Sequence, residues 1–285
     1  MAAECREHRV EYMRADDGED IPVRVFGPDG EGTPLVMLHG IRSHSGWFTK
    51  SASFIASLGH PVYSFDRRGS GLSRDMRGHI THFHTMIDEA RTVAAAAMER
   101  HGKRRVHILG HCFGAIPAAV FACCHPDAVD SLILPTPGIY TWTTVTPLKR
   151  VQIAMLRIVA AAHSVPFPLQ PEDLAGLEAD HRLIRDDPLS LHELSAGFCF
   201  ESFRARRHLK RKKRQLTAPL FMALAAGDRI SNNERNAAFF HSVPSRNKRL
   251  TIYPNATHIL EFSHEKDAFF RDLAVWIAGG YERGG

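Results

Sequence analysis

Val106-His107-Ile108-Leu109-Gly110-His111-Cys112-Phe113-Gly114 runs from a short apolar stretch into a cysteine bracketed by glycines, and Phe113 to Cys124 continue with helical spacing. A four-residue apolar run ending in glycine reads as a buried strand. A sharp turn from strand into helix leaves its central residue in a strained backbone conformation. Gly110 and Gly114 are then required so that strand and helix can approach without clashing side chains. The result is an exposed sulfur at a helix N-terminus, where the partial positive charge favours thiolate.

The same rhythm extends outward in both directions. Val10 to Met13 and Ile21 to Phe26 alternate like the arms of a hairpin, with the turn formers Gly27-Pro28-Asp29-Gly30 behind them. Leu35 to Leu38, Val62 to Phe65 and Leu132 to Leu134 are further strand-like runs, separated by helical stretches at Trp47 to Leu58 and Phe83 to Arg100. Leu220 to Ala225 and Leu250 to Tyr253 resume the strands, with helices at Asn233 to His241 and Glu265 to Ala278. Strict alternation of strand and helix predicts an α/β fold with a mostly parallel twisted sheet covered on both faces. Residues 135–216 break the pattern with seven prolines from Pro135 to Pro188, Pro168 among them, and with helical spacing that no strands interrupt. They are expected to form a helical cap inserted into a core of residues 1–134 and 217–285. Such a cap would project from the sheet edge where ligands bind in open α/β folds.

Composition narrows the class. The 285 residues allow one large domain with an inserted piece, and 44% apolar with 24% charged residues is near the globular average. The formal charge of +5 is unevenly placed: Arg204 to Arg214 hold eight cations and no acid, leaving 28 basic against 31 acidic groups elsewhere. A uniformly basic, nucleic-acid-coating protein is a poor description of that distribution, and no nucleic-acid partner is expected. Five cysteines (Cys5, Cys112, Cys123, Cys124, Cys199) form no CxxC pair, which points to a reducing cytosol, and the charged N-terminus lacks a signal peptide's apolar stretch.

The cysteine has candidate partners in the order nucleophile, acid, histidine. Asp228 in AAGDRI follows the strand Leu220 to Ala225, and His258 in NATHIL follows the strand Leu250 to Tyr253. Both fall just past strand ends, on the edge that carries Cys112. His258 would hold the thiolate as an ion pair and protonate the leaving group, while Asp228 fixes the imidazole tautomer. His39-Gly40-Ile41 follows the strand Leu35 to Leu38, so the backbone N–H groups of Ile41 and Phe113 are assigned to an oxyanion hole, with His39, Gly40, Gly110 and Gly114 supporting it. In general each donor of such a hole contributes roughly 3 kcal/mol.

HGIRSHSGWF, DRRGSGLSR, GHCFGA, AAGDRI and ATHILEF, in that order, resemble the monoacylglycerol lipase and lysophospholipase-like branch of the α/β-hydrolases, related to the S33 serine aminopeptidases. The resemblance spans about Arg9 to Ile277 and is weakest in the cap. It implies an acyl hydrolase with a helical cap between sheet strands six and seven, and no cofactor. The chain departs from it at the nucleophile, where cysteine stands for serine. A thioester acyl-enzyme stays reactive toward amines and thiols, so ester or thioester hydrolysis stands beside transfer to another acceptor. A binding protein that keeps the pocket without turnover is the third possibility.

Other motifs have simpler readings. Asp66-Arg67-Arg68-Gly69-Ser70-Gly71 is read as a turn supporting the active-site loops, not a phosphate loop. His79, His82 and His84 lack the companions of a metal site and are read as solvated or capping; no metal is expected. Cys123 and Cys124 are read as core packing. Val151 to Ala162 would line an acyl pocket or close the cap's own core. Arg204 to Arg214 is read as the solvated end of a cap helix, with docking to an acyl-carrier protein, coenzyme A or an anionic membrane surface as alternatives.

Overall fold

The computed structural model describes residues 8–142, 146–166 and 169–281; Cys5, the charged start of the chain and Pro168 lie outside them. Eight strands form one sheet: β1 (His8–Arg14), β2 (Asp20–Phe26), β3 (Leu35–Leu38), β4 (Val62–Phe65), β5 (Val106–Gly110), β6 (Val129–Pro135), β9 (Leu220–Ala225) and β10 (Lys248–Tyr253). Their spatial order is β1-β2-β4-β3-β5-β6-β9-β10. The β1/β2 and β2/β4 pairs are antiparallel and every other pairing is parallel. The sheet is flanked by helices α1 (Thr49–Ser57), α2 (His84–Arg100), α3 (Ala115–Cys124), α8 (Asn233–Ser242) and α9 (Lys266–Ile277).

Continuous apolar strands follow from burial on both faces, because successive side chains point to opposite sides. In β9, Leu220, Met222 and Leu224 join one core cluster, and Phe221, Ala223 and Ala225 join the other. In β3, Val36 and Leu38 fall on the first side, Leu35 and Met37 on the second. Every residue of α3 but Cys124 is buried. Pro117 is tolerated there because the first-turn N–H groups of a helix have no intrahelical acceptor.

Between β6 and β9, the sixth and seventh strands of the large sheet, the chain forms α4 (Pro147–Val159), α5 (Pro171–Leu174), α6 (Glu178–Asp186) and α7 (Ala196–Lys212). It also forms two short strands, β7 (Ser164–Pro166) and β8 (Glu193–Ser195), paired antiparallel. The helical cap is therefore not strand-free. Three-residue strands ending in proline or flanked by serine carry no readable period.

Three further readings are corrected by packing. Cys124 is exposed at the end of α3, and only Cys123 of that pair is core. α4 buries only Ile153, while Leu148, Val151, Met155, Ile158 and Val159 face solvent, so that helix mostly neither closes a core nor lines the pocket at Cys112. Arg204 to Arg214 is not a uniformly solvated end: Ala205 and Leu209 are fully buried, and Arg206 Nη2 donates to the Gly138 carbonyl at 3.3 Å. No helix among the described residues is long and apolar enough to cross a membrane.

Candidate active site

Cys112 stands at the end of β5 with φ +48°, one of two non-glycine residues at positive φ among the described residues. The turn is closed by the Gly114 N–H donating to the His111 carbonyl at 2.7 Å. A Cβ on Gly114 would strike the Leu38 and His39 carbonyls, and one on Gly110 would strike Gly114 and Ala118. Both glycines are thus demanded by contact, as the sequence implied. The Phe113 N–H lies in the first turn of the following helix, where backbone donors have no intrahelical partner.

Thr136 is the other residue at positive φ (+41°), unusual for a β-branched side chain. Its N–H donates to the Ala223 carbonyl at 2.7 Å, and its carbonyl accepts from Ser231 Oγ at 3.2 Å. Two residues on, the Gly138 N–H donates to the Cys112 carbonyl at 2.7 Å. A Cβ on Gly138 would come to about 3.0 Å from the Cys112 backbone, so a side chain there would crowd the elbow from behind.

His258 and Asp228 are brought together. His258 Nδ1–H donates to Asp228 Oδ2 at 2.8 Å, and both side chains are fully enclosed. Asp228 Oδ1 accepts from the N–H groups of Ile230 (2.8 Å) and Ser231 (2.9 Å), which fixes the carboxylate plane. Burial works against the charge of Asp228, yet His258 and these donors hold its pKa below the ordinary value. Burial likewise opposes a charged His258, but the Asp228 and Cys112 charges outweigh it and raise its pKa well above that of free imidazole. His258 Nε2 is buried without a hydrogen-bond partner of good geometry; Cys112 is the neighbouring group on that side, and both line one pocket.

The loop after β3 lies directly against the cysteine: a Cβ on Gly40 would sit 3.4 Å from Cys112 Cβ and 4.0 Å from Sγ. Arg67 holds this loop from behind. Its Nη1 donates to the Gly40 carbonyl (2.6 Å) and its Nη2 to the Ile41 carbonyl (2.5 Å). The Arg67 N–H donates to His39 Nε2 at 3.2 Å, and His39 Nδ1 lies 2.8 Å from the Gly40 carbonyl and 2.9 Å from Arg67 Nη1. Burial above all, with the charge of Arg67, keeps His39 neutral. The guanidinium lies 5.5 Å from the Phe113 ring centroid and 5.4 Å from that of Phe198. Burial lowers its own pKa to about 9.

Asp66 ties the same region together, accepting from the Ser45 N–H (2.7 Å) and the Leu72 N–H (2.8 Å). The turn from Asp66 to Gly71 thus does support the loop. From the cap side, Asp187 accepts from the Trp47 indole and contacts His44 Nε2 at 2.9 Å, while Arg42 donates to the Leu169 carbonyl. Sequence reasoning named Arg67 only as part of the supporting turn and did not single out Thr136, Gly138 or Asp187. A Pro-Gly pair just past a strand was the available signal for Gly138; the others act through contacts distant in sequence.

The pocket at Cys112 is lined by Ile41, Trp47, Phe48, Leu169, Leu174 and Ile259 together with His258. Its volume is about 20 Å³, room for about one water. His111 stacks on Phe48 at 3.8 Å, and burial followed by the charge of His258 lowers its pKa to about 3.

Residues 33–267 match the family of serine aminopeptidase S33, over most of the chain's length. The chain belongs to that family. Similar proteins include the monoacylglycerol lipase of Mycolicibacterium smegmatis, 24% identical over 91% of this chain and 93% of that protein. The human monoglyceride lipase is 23% identical over 92% of this chain and 88% of its own. Among solved structures, a soluble variant of the Saccharomyces cerevisiae monoglyceride lipase superposes with a TM-score of 0.85 at 17% identity, covering both chains completely. The monoacylglycerol lipase of Paleococcus ferrophilus gives 0.79 at 22% identity, over 91% of this chain and 98% of that one. The fold is that of the α/β-hydrolases. Within this S33 chain the elbow residue is a cysteine.

Proposed function

We propose that the protein is an acyl hydrolase working through Cys112, His258 and Asp228 on an ester or thioester with a hydrophobic acyl group. The observation that carries the reading is the His258–Asp228 pair at 2.8 Å, its other ring nitrogen turned to the pocket where Cys112 stands on a strained turn. Names carried by the relatives support ester cleavage.

In the first step the Cys112 sulfur attacks the acyl carbon, and a new C–S bond forms. The bond to the leaving oxygen or sulfur breaks, and that atom takes the proton from His258 Nε2. The charge on the carbonyl oxygen in between is met by the Ile41 and Phe113 N–H groups. In the second step His258 removes a proton from water as the water attacks the thioester, releasing acid and restoring the thiolate. Asp228 keeps the ring in the tautomer that both steps require.

At about 20 Å³ the pocket is too small for an acyl chain, and parting of the cap face that carries Leu169 and Leu174 from the face that carries Ile41 and Phe48 would enlarge it. Incubation with acyl thioesters and p-nitrophenyl esters of graded chain length, followed by intact mass, tests the reading. An acyl adduct lost in Cys112→Ala is expected; neither adduct nor turnover across that panel sinks it.

A second reading, transfer to an amine or thiol, is favoured by the cysteine itself, because a thioester is a better acyl donor to those acceptors than an oxygen ester. Faster decay of the adduct with added amine or thiol, with the matching amide or thioester as product, would select it.

A further inference from the structure

A second hollow, of about 340 Å³, lies where the N-terminal end of α2 meets the outer face of α7. Phe83, His84, Arg204, Arg207, His208 and Arg211 line it. The four residues from α7 fall at i, i+3, i+4 and i+7, so one helix face presents all of them. We propose that this hollow binds the phosphate or diphosphate group of a small ligand, with Arg207 and Arg211 as its principal holders.

Of the three arginines, Arg207 is not otherwise accounted for, and Arg211 has only the helix dipole to offset its charge. Arg204 is paired with Glu201 at 2.9 Å, and that buried carboxylate also accepts the Phe83 N–H at 3.0 Å. Arg207 and Arg211 make no ion pair or hydrogen bond among the described residues. Basic residues in the last turn of a helix complement its dipole, which explains Lys210 to Lys212 but not Arg204 and Arg207 in its middle. Like charges four positions apart on a helix repel one another, and a bound anion would relieve that repulsion.

Shape and donor set point to phosphate. Two guanidinium groups one helical turn apart offer planar forks that match phosphate oxygens, singly or across adjacent groups. His208 Nε2 is buried without a partner, and the His84 ring meets that of His208 at 5.6 Å. Burial first, and then neighbouring cations, hold both histidines below the usual imidazole value. Asp88, one turn along α2, and Glu201 are the carboxylates felt by His84. A hollow of about 340 Å³ has room for a small phosphorylated molecule. Arg206 and Lys210 belong to another face: Arg206 is bound to Gly138, and Lys210 lies 5.1 Å over the Tyr140 ring.

Titration calorimetry of the full chain with inorganic pyrophosphate at low salt tests this without any need for turnover, so it stands apart from the chemistry at Cys112. Saturable one-site binding is expected, weakened at least about tenfold in Arg207→Gln/Arg211→Gln and unchanged in the exposed control Arg246→Gln. Circular dichroism checks that the double variant is folded; if it is not, Arg207→Lys serves, since loss of the planar fork alone should weaken binding. No saturable heat up to about 10 mM pyrophosphate overturns the proposal, as does equal weakening by the control. Sedimentation with phosphatidylglycerol vesicles separates the sources: vesicle binding that needs Arg207 and Arg211 but resists excess pyrophosphate would mean a lipid-surface contact, and would also overturn it.

Discussion

The Gly40 carbonyl accepts a hydrogen bond from Arg67 Nη1 at 2.6 Å. Gly40 C=O and Ile41 N–H belong to one trans peptide and point in opposite directions. Clamping the carbonyl therefore turns the N–H away from Arg67. Arg67 is in this sense a positioning residue for the proposed oxyanion donor.

Replacing Arg67 with Met should lower kcat about 10–100-fold with KM little changed, because a misplaced donor weakens only transition-state binding. Arg67→Lys keeps a charge and one donor and should recover part of the loss. Steady-state kinetics on a p-nitrophenyl ester gives the split; a rise in KM with unchanged kcat would instead assign Arg67 to ground-state binding.

Cys112→Ala should reduce turnover at least about 10³-fold. Cys112→Ser tests why a cysteine is present. The intermediate formed by a thiolate on an oxygen ester tends to expel the thiolate and return to substrate, whereas serine has no such bias. Oxygen-ester hydrolysis is expected to rise in Cys112→Ser while transfer to thiols falls. Parallel decay assays with water and with a thiol acceptor read both outcomes.

Much of the fold was legible because burial on both faces leaves a signal that needs no partner information. The run Leu35 to Leu38 coincides with β3, and Leu220 to Ala225 with β9. Asp228 and His258 were legible for a related reason: a parallel sheet sends the ends of its strands to one edge. Arg67 was not, since its effect rests on carbonyls 26 and 27 residues away. The basic run misled because charge counts carry no direction. On α7 the cations divide between a face toward Gly138 and Tyr140 and a face toward α2, with Ala205 and Leu209 buried between.

Glu261 is buried and bonded to Ser51 Oγ, and its other oxygen has no partner. Burial raises its pKa from 4.5 to about 7. Between those values the folded state binds more protons than the unfolded one, so this group costs stability as pH rises from 4.5 to 7 and nothing further above. Glu261→Gln should therefore stabilise the protein at pH 8, by as much as about 3 kcal/mol, and leave it unchanged near pH 4.5. Burial does the same to Glu89, so part of the slope persists in the variant. His39 and His111, held neutral, act oppositely below pH 6.5, which makes the difference between variant and parent in urea unfolding the proper reading.

The pH dependence of the reaction follows from His258. Asp228 and Cys112 raise its pKa against the effect of burial, so the ring holds its proton to higher pH than a free imidazole does. Acylation needs that proton for the leaving group, and its rate should accordingly fall along an alkaline limb set by His258. Asp228→Asn removes the first of the two charges that raise the pKa and leaves burial less opposed. The alkaline limb should then move to lower pH, and kcat at neutral pH should drop roughly 10²–10⁴-fold through loss of the tautomer as well. Single-turnover acylation measured between pH 5 and 10 gives both quantities. An alkaline limb in Asp228→Asn that stays where it was in the parent would remove His258 from the proton-donor role.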